Sequence, residues 1–195
     1  MGKLVINVQM SLDGVVQGPG GPDEDTSGGF QQGGWAMQYF DESMAKASSQ
    51  GMASSGGLVL GRRTYDIFAS YWPHQGDENP FASFLNKVPK HVASRTLKEP
   101  LEWSNSHLIQ GDVVDGVGKL KEEAAEDLVI LGSGDLAQTL MKHDLIDRYD
   151  LWIVPIVLGG GKRLFREGSS LRLKLVDEKR SGTGVVMATY APERG

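Results

Sequence analysis

The chain has 195 residues, of which 39% are apolar and 23% are charged, with a formal net charge of -5 and no cysteine. This composition predicts one globular domain over residues 1–195 and excludes a disulfide framework, a cysteine metal site and a thiol nucleophile. An acidic chain lacks the basic face of a general nucleic-acid binder, and its apolar runs are too short to cross a membrane. We therefore expect neither nucleic-acid nor membrane partners, and a cytoplasmic location.

Short apolar runs alternate with segments of helical periodicity, around residues 65–69, 114–124 and 136–141. This alternation predicts an α/β fold, a parallel sheet covered by helices. Near the C-terminus, apolar and polar residues alternate on either side of a glycine-containing turn at Ser181–Gly184, which predicts an antiparallel hairpin at one edge of the sheet. The predicted strands are Leu4–Met10, Leu58–Gly61, His91–Ser94, His107–Gln110, Leu128–Gly132 and Leu151–Leu158, followed by the hairpin strands Leu171–Val176 and Val185–Tyr190.

Two long segments are so rich in glycine and proline that we predict no regular structure for them. The first, Gly14–Trp35, leaves the end of the first strand, and the second is Trp72–Pro89. Long loops in compact domains are usually functional or disordered, and open α/β sheets bind ligands at the carboxyl ends of their strands. We therefore favour a lid for Gly14–Trp35 over a merely mobile loop.

Three turns that follow predicted strands carry groups suited to bind an anion. Gly132-Ser-Gly-Asp135 opens a helix whose free N–H groups can approach a phosphate, although a plain strand-to-helix turn explains the pattern equally well. Gly61-Arg-Arg-Thr64 places two arginines at a helix start, where they oppose the macrodipole, and Thr64 can cap the helix. Ser94-Arg-Thr96 offers hydroxyl and guanidinium donors for a phosphomonoester such as the 2'-phosphate of NADP. Because the three turns follow strands of one sheet, they can line one edge.

Asp13 is the candidate proton carrier, because it lies where the first strand meets the glycine-rich loop. Partial burial there would raise its pKa towards values useful for proton donation, and an ordinary Asx turn before Gly14 is an equally good interpretation. The aromatic residues Trp35, Phe40 and Trp72 are candidates to stack on a flat substrate, with core packing as the alternative. The 4 histidines show no ligand spacing, so we expect no metal site.

In their order and spacing these blocks resemble the dihydrofolate-reductase-like superfamily. Within it, the chain is similar to stand-alone relatives of the C-terminal reductase domain of the riboflavin-biosynthesis bifunctional deaminase/reductase. The resemblance covers nearly the whole chain, and no single block decides it. The blocks are Ser11-Leu-Asp-Gly14, Val59-Leu-Gly-Arg-Arg-Thr-Tyr65, Val92-Ala-Ser-Arg-Thr-Leu97, Leu131-Gly-Ser-Gly-Asp-Leu136 and the long tail block from Leu145 to Phe165.

The resemblance implies a mostly parallel, eight-stranded sheet that is flanked by helices, binds NADPH across its carboxyl edge and is commonly dimeric. Asp13 and the Gly14–Trp35 loop would face the nicotinamide and the substrate. Independently, the apolar run Leu151–Leu158 and the hairpin offer more apolar strand than one domain readily covers, which also predicts a homodimer. The implied NADPH contacts are Gly61, Arg62, Arg63, Thr64, Gly132, Ser133, Gly134 and Asp135 for the diphosphate, and Ser94 and Arg95 for the 2'-phosphate.

The chain departs from the riboflavin-biosynthesis enzyme in two ways that bear on the identity of the substrate. The chain has no deaminase segment or zinc motif, and the acidic Pro22-Asp-Glu-Asp25 stands where the riboflavin enzyme's domain typically has a short basic pattern. These acids disfavour a phosphoribosyl substrate if they lie close to its phosphate. The leading hypothesis is an NADPH-dependent reductase that transfers hydride to a C=N or C=O carbon of a small, pterin- or aminouracil-like molecule. A ligand-binding dimer without turnover is the alternative, and a phosphotransferase is disfavoured because a P-loop lysine is missing.

Overall fold

The computed structural model describes residues 1–193. Within this range, no helix is long and apolar enough to span a bilayer, and no three His, Asp or Glu side chains are grouped as metal ligands. The strands are β1 (Leu4–Ser11), β2 (Ser55–Gly61), β3 (Lys90–Ala93), β4 (Ser106–Leu108), β5 (Asp127–Leu131), β6 (Arg148–Val154), β7 (Leu173–Arg180) and β8 (Val186–Pro192). The helices are α1 (Glu42–Ala53), α2 (Arg62–Tyr71), α3 (Pro80–Lys87), α4 (Val113–Glu123) and α5 (Gly134–Lys142).

The strands form one 8-stranded sheet in the order β4-β3-β2-β5-β1-β6-β8-β7. Neighbouring strands from β4 to β6 are parallel, whereas β8 runs antiparallel to both β6 and β7. These pairings confirm the predicted α/β fold with a mostly parallel sheet and a C-terminal antiparallel hairpin. Because the parallel strands run the same way, the segments that follow them leave the sheet along one side. We call this side the carboxyl edge.

Helices cover both faces of the sheet. On one face, α4 and α5 pack against the central strands through buried residues such as Val117 and Leu140. On the other face, α1 packs through Met44 near β6 and β8, and α2 and α3 pack through Tyr65 and Leu85 near β2 and β3. The central strands are thus buried on both faces, which explains why they appear in the sequence as continuous apolar runs.

Predicted and observed elements differ in several places: β7, for example, covers Leu173–Arg180 rather than Leu171–Val176. β6 ends at Val154 rather than Leu158, because the next residue, Pro155, has no N–H to donate to the sheet. The segment Trp72–Pro89, for which we predicted no regular structure, contains α3. The Asn79 side chain caps this helix, and Pro80 occupies its first turn, where a missing N–H breaks no helical hydrogen bond.

Two glycines of α4 offer a matched test of this packing. A Cβ at Gly118 would meet open space, but a Cβ at Gly116 would lie 2.3 Å from Cγ2 of Ile109. Gly118→Ala should raise the free energy of unfolding by about 0.5 to 1 kcal/mol, because alanine favours the helix. Gly116→Ala should lower it by about 1 to 3 kcal/mol, because the added methyl overpacks the core. Chemical denaturation measures both changes, and a stabilised Gly116→Ala would contradict the contact with Ile109.

Candidate active site

The turns that follow β2, β3 and β5 meet at the carboxyl edge. The N–H of Gly61 donates to Oγ of Ser133 at 2.9 Å, and the N–H of Ser133 donates to Oγ1 of Thr64 at 3.0 Å. The turn after β3 joins them because the Arg62 guanidinium donates to the Thr96 hydroxyl. The three predicted anion-binding turns therefore form one continuous surface.

Two helices begin at this surface without a side-chain cap. α2 begins after Gly61 and α5 after Ser133, and no described side chain caps the first turn of either helix. By contrast, Asp or Asn side chains cap α1, α3 and α4. The predicted cap of α2 by Thr64 is wrong, because this hydroxyl accepts the Ser133 N–H instead. N–H groups left free at two neighbouring helix starts are suited to bind an anionic group.

The turn between β5 and α5 has an unusual backbone. Gly132 and Ser133 both lie in the left-handed region, with φ angles of 58° and 53°. Glycine adopts this conformation freely, but serine does so only when its surroundings hold it there. Ser133 is held by its two hydrogen bonds to the start of α2 and by a third from its hydroxyl to the Leu131 carbonyl at 3.1 Å. These bonds fix the two helix starts relative to each other.

Cationic side chains from three segments surround the helix starts. Arg62 and Arg63 begin α2 and Arg95 follows β3, as the sequence predicted. Further cations, for which the sequence analysis predicted no role, come from the segment after β6. In this segment, a glycine-rich run is followed by Lys162 and Arg163. The turn after β2 has the same order of strand, glycine and cation, so the sequence pattern could have predicted these two cations. A cleft of about 490 Å³ lies here, lined by Asp135, Gly161, Lys162, Arg163, Phe165, Arg166 and Glu167.

Most of these cations are paired with carboxylates of the same region. Arg95 is the exception: its side chain is exposed, and no carboxylate of residues 1–193 forms an ion pair with it. Arg95 is therefore free to meet a ligand. The pairs are Arg62 with Asp66, Arg63 and Lys162 with Asp25, Arg163 with Asp13, and Arg166 with Asp135.

Ser94 fixes the turn that carries Arg95. Its Oγ accepts hydrogen bonds from the N–H groups of Thr96 at 3.2 Å and Leu97 at 3.0 Å. The hydroxyl oxygen is thus engaged within the turn, and the exposed guanidinium of Arg95 is the main group that this turn offers to an anion.

Asp13 is a charged acceptor, and the prediction of a raised pKa is wrong. The Ser11 hydroxyl donates to its Oδ1 at 2.7 Å, and the N–H groups of Leu158 and Gly159 donate to Oδ1 at 3.0 Å and Oδ2 at 2.9 Å. These hydrogen bonds lower the pKa of Asp13 to about 2. Asp13 therefore ties the end of β1 to the segment after β6 and is unsuited to donate a proton near neutral pH.

The low pKa of Asp13 predicts how the fold responds to acid. A carboxyl group whose pKa is lower in the folded than in the unfolded chain stabilises the fold above about pH 4, and this stabilisation is lost as the pH falls towards 2. Asp13→Asn should therefore be less stable than the wild type at neutral pH, and the difference should shrink below about pH 4. Melting temperatures across this range measure the effect. A difference that does not change with pH would contradict it.

The three predicted substrate aromatics lie in different places. Trp35 is 5% exposed within the core, and its indole N–H donates to the Gln17 carbonyl at 2.8 Å, so it is not available to stack on a ligand. Trp72 follows the 10 residues of α2, which places it about 15 Å along that helix from the carboxyl edge, against Phe68 and Phe81. The structure therefore brings neither ring to the cleft. Phe40 is 42% exposed and stays a candidate.

Residues 14–35, which we call the lid segment, are packed against the core. Val15 and Phe30 are buried in the cluster that also contains Met44 of α1. The buried amide of Gln17 donates to the carbonyls of Asp25 and Ser27 within the segment, and its oxygen accepts the N–H of Lys162 at 3.0 Å. The lid segment is thus joined to the segment after β6.

The chain is similar to several known proteins over nearly its whole length. A family model, described as the RibD C-terminal domain, matches residues 2–187. Two uncharacterized proteins of Bacillus subtilis (strain 168) are similar: YyaP is 26% identical, covering 96% of this chain and 94% of its own, and YwjB is 24% identical, covering 94% of both. A solved structure of a Shewanella sp. PV-4 protein, named for riboflavin biosynthesis, has a TM-score of 0.68 at 26% identity with 100% of both chains covered. A pyrimidine reductase-like protein of Corynebacterium diphtheriae has a TM-score of 0.67 at 14% identity, covering 100% of this chain and 93% of its own.

These similarities confirm the resemblance that the sequence blocks indicated. The second solved structure supports the fold alone, whereas the family model extends over nearly all of the chain, including every turn of the candidate site. The family is that of a reductase domain, which supports a reductase-type function. The chain belongs to the RibD C-terminal domain family.

Proposed function

We propose that the protein is a cytoplasmic, NADPH-dependent reductase that transfers a hydride to a C=N or C=O carbon of a small heteroaromatic molecule, pterin- or aminouracil-like. The observation that carries this proposal is the continuous surface formed by the turns after β2, β3 and β5. Two uncapped helix starts with arginines beside them fit a diphosphate. Arg95, which forms no ion pair within residues 1–193 and follows the neighbouring strand β3, fits the additional phosphate that distinguishes NADPH from NADH.

The proposed roles follow from this arrangement. Residues 61–64 and 132–135 hold the diphosphate from two sides, and Arg95 holds the 2'-phosphate from the turn that Ser94 fixes. NADPH, when bound, supplies the hydride. The lid segment limits the access of water to the carboxyl edge, and Phe40 offers an apolar contact to the substrate. Asp13 acts as a positioning residue that fixes the segment after β6. Because its pKa is about 2, the proton that completes the reduction comes from solvent.

Loss of NADPH absorbance in the presence of a panel of pterins, aminouracils and simple carbonyl compounds tests the proposal. Substrate-dependent consumption of NADPH supports a reductase. Binding of NADPH, seen as quenching of tryptophan fluorescence, without consumption by any compound favours the alternative of a ligand-binding dimer without turnover. If neither NADPH nor NADH quenches the fluorescence, the proposed NADPH-dependent reductase is wrong.

We also propose that the protein is a homodimer. The sequence predicted a homodimer in part from the apolar run that contains β6. In the structure, however, Leu151 and Val154 are buried within the chain. The support that remains is the edge strand β7, where Leu175 is 46% and Val176 61% exposed. An exposed edge strand can pair with a second copy of the chain. Light scattering at micromolar concentration should give about twice the chain mass of 21.1 kDa. A single monomeric peak would contradict the proposal.

A further inference from the structure

The carboxylate of Asp25 in the lid segment lies between two cations from different parts of the carboxyl edge. Its Oδ1 lies 3.0 Å from Nη2 of Arg63, and its Oδ2 lies 2.8 Å from Nζ of Lys162. Arg63 follows β2 and Lys162 follows β6, and the sheet order places β5 and β1 between those strands. Because neighbouring strands are about 4.8 Å apart, β2 and β6 are separated by about 14 Å. The Asp25 contacts therefore span the carboxyl ends of β5 and β1.

Arg63 and Lys162 have the geometry of an anion-binding pair. Both approach the oxygens of one carboxylate, whose side chain is only 11% exposed, while Arg63 is 59% and Lys162 38% exposed. A guanidinium and an ammonium that meet at one point are well suited to the oxygens of a phosphate. Burial raises the pKa of Asp25, but hydrogen bonds from Lys162 and Ser27 outweigh it and lower the pKa to about 2. The carboxylate is therefore a permanent negative charge at neutral pH.

We propose that Arg63 and Lys162 form a binding site for a phosphate group of the ligand, and that Asp25 occupies this site as an internal anion until the ligand displaces it. The inference rests on the proposed function for the identity of the ligand, because the phosphate belongs either to NADPH or to the substrate. Arg63 and Lys162 are partly exposed, so solvent weakens their ion pairs with Asp25. A phosphate carries more negative charge and more acceptor oxygens than a carboxylate, so it can exchange with Asp25.

The position of Asp25 between Arg63 and Lys162 determines how the loss of its charge should affect phosphate binding. If Asp25 competes with the ligand for Arg63 and Lys162, then removing its charge strengthens the binding of a phosphate. If Asp25 serves only to order the lid segment, the same change weakens binding or leaves it unaltered. The sign of the change therefore separates the two roles.

The test compares Asp25→Asn with the wild type in calorimetric titrations with inorganic pyrophosphate and, separately, with NADPH at low ionic strength. We expect Asp25→Asn to bind pyrophosphate about five- to tenfold more tightly. Asp23→Asn is the matched control, since it removes the same charge from an exposed residue that has no ion pair within the described chain. It should change the affinity less than twofold, about the effect of one distant charge. The double variant with Asp25→Asn and Arg63→Gln should lose the tighter binding of pyrophosphate that Asp25→Asn alone shows.

Each outcome decides the proposal. Tighter binding of both probes supports it and assigns the phosphate to the coenzyme, whereas tighter binding of pyrophosphate alone supports it and excludes the coenzyme as the source of the phosphate. Equal or weaker binding of pyrophosphate by Asp25→Asn than by Asp23→Asn overturns it, as does an absence of measurable binding in every variant. If NADPH binds to no variant, the proposed function fails, but the pyrophosphate comparison still tests the Arg63–Lys162 site.

Discussion

Replacing Arg95 with alanine should weaken the binding of NADPH by about 1 to 3 kcal/mol, or about 5- to 150-fold, and leave the binding of NADH nearly unchanged. The two coenzymes differ by one phosphate on the adenosine ribose, and the loss of a charge-assisted contact to such a group has this magnitude. Arg95 is exposed and forms no ion pair with residues 1–193. Its substitution therefore removes a cation without breaking an ion pair among the described residues, and the fold should keep its stability.

Lys98→Ala is the matched control for this prediction. Lys98 lies three residues further along the same segment, is exposed, and likewise has no ion pair in the part of the chain that the structure describes. Both substitutions remove one positive charge, so a general loss of electrostatic attraction would appear in both. Tryptophan-fluorescence titrations at one fixed ionic strength measure the affinities of the wild type and both variants for NADPH and for NADH. Equal losses for NADPH and NADH in Arg95→Ala would show that this residue does not recognise the 2'-phosphate.

The sheet and the turns of the site were predictable because their signals are local. Each buried parallel strand appears as an apolar run, and in β2 and β5 the run ends at a glycine, Gly61 or Gly132, that marks the strand-to-helix turn. α3 was not predicted because its segment is rich in proline, although Asn79 followed by Pro80 is a recognised signal for a helix start. Local signals thus locate elements even where composition suggests a loop.

The charge pairs of the site depend on contacts between distant segments, and the sequence could not predict them. Asp25 and Lys162 are 137 residues apart, and Asp13 accepts the N–H of Leu158 from 145 residues away. The identity of an aspartate does not reveal how many N–H groups will face it, and those donors decide whether its pKa rises or falls. This is why the pKa of Asp13, a candidate proton carrier with an Asx turn as the equal alternative, was predicted to be raised but is lowered.

Replacing Gly33 with alanine should open the lid segment and lower the free energy of unfolding by about 1 to 3 kcal/mol. A Cβ at this position would lie 2.3 Å from the carbonyl oxygen of Pro22 and 2.6 Å from that of Gly21. Both obstacles are main-chain atoms, which cannot rotate away as a side chain can. The backbone at residues 21–22 must therefore move away from residue 33, and the neighbouring Asp25 loses its fixed position between the two cations.

Chemical denaturation and limited proteolysis within residues 14–35 measure this effect. Gly51→Ala is the control, because a Cβ at that position of α1 meets open space and alanine favours a helix; it should be as stable as the wild type or slightly more so. Wild-type stability and protease resistance in Gly33→Ala would contradict the packing of the lid segment. Because the lid segment limits water at the edge in the proposed reductase, Gly33→Ala should slow turnover more than it weakens NADPH binding. Release of Asp25 also leaves Arg63 and Lys162 available to the phosphate of the ligand, so NADPH binding should not weaken.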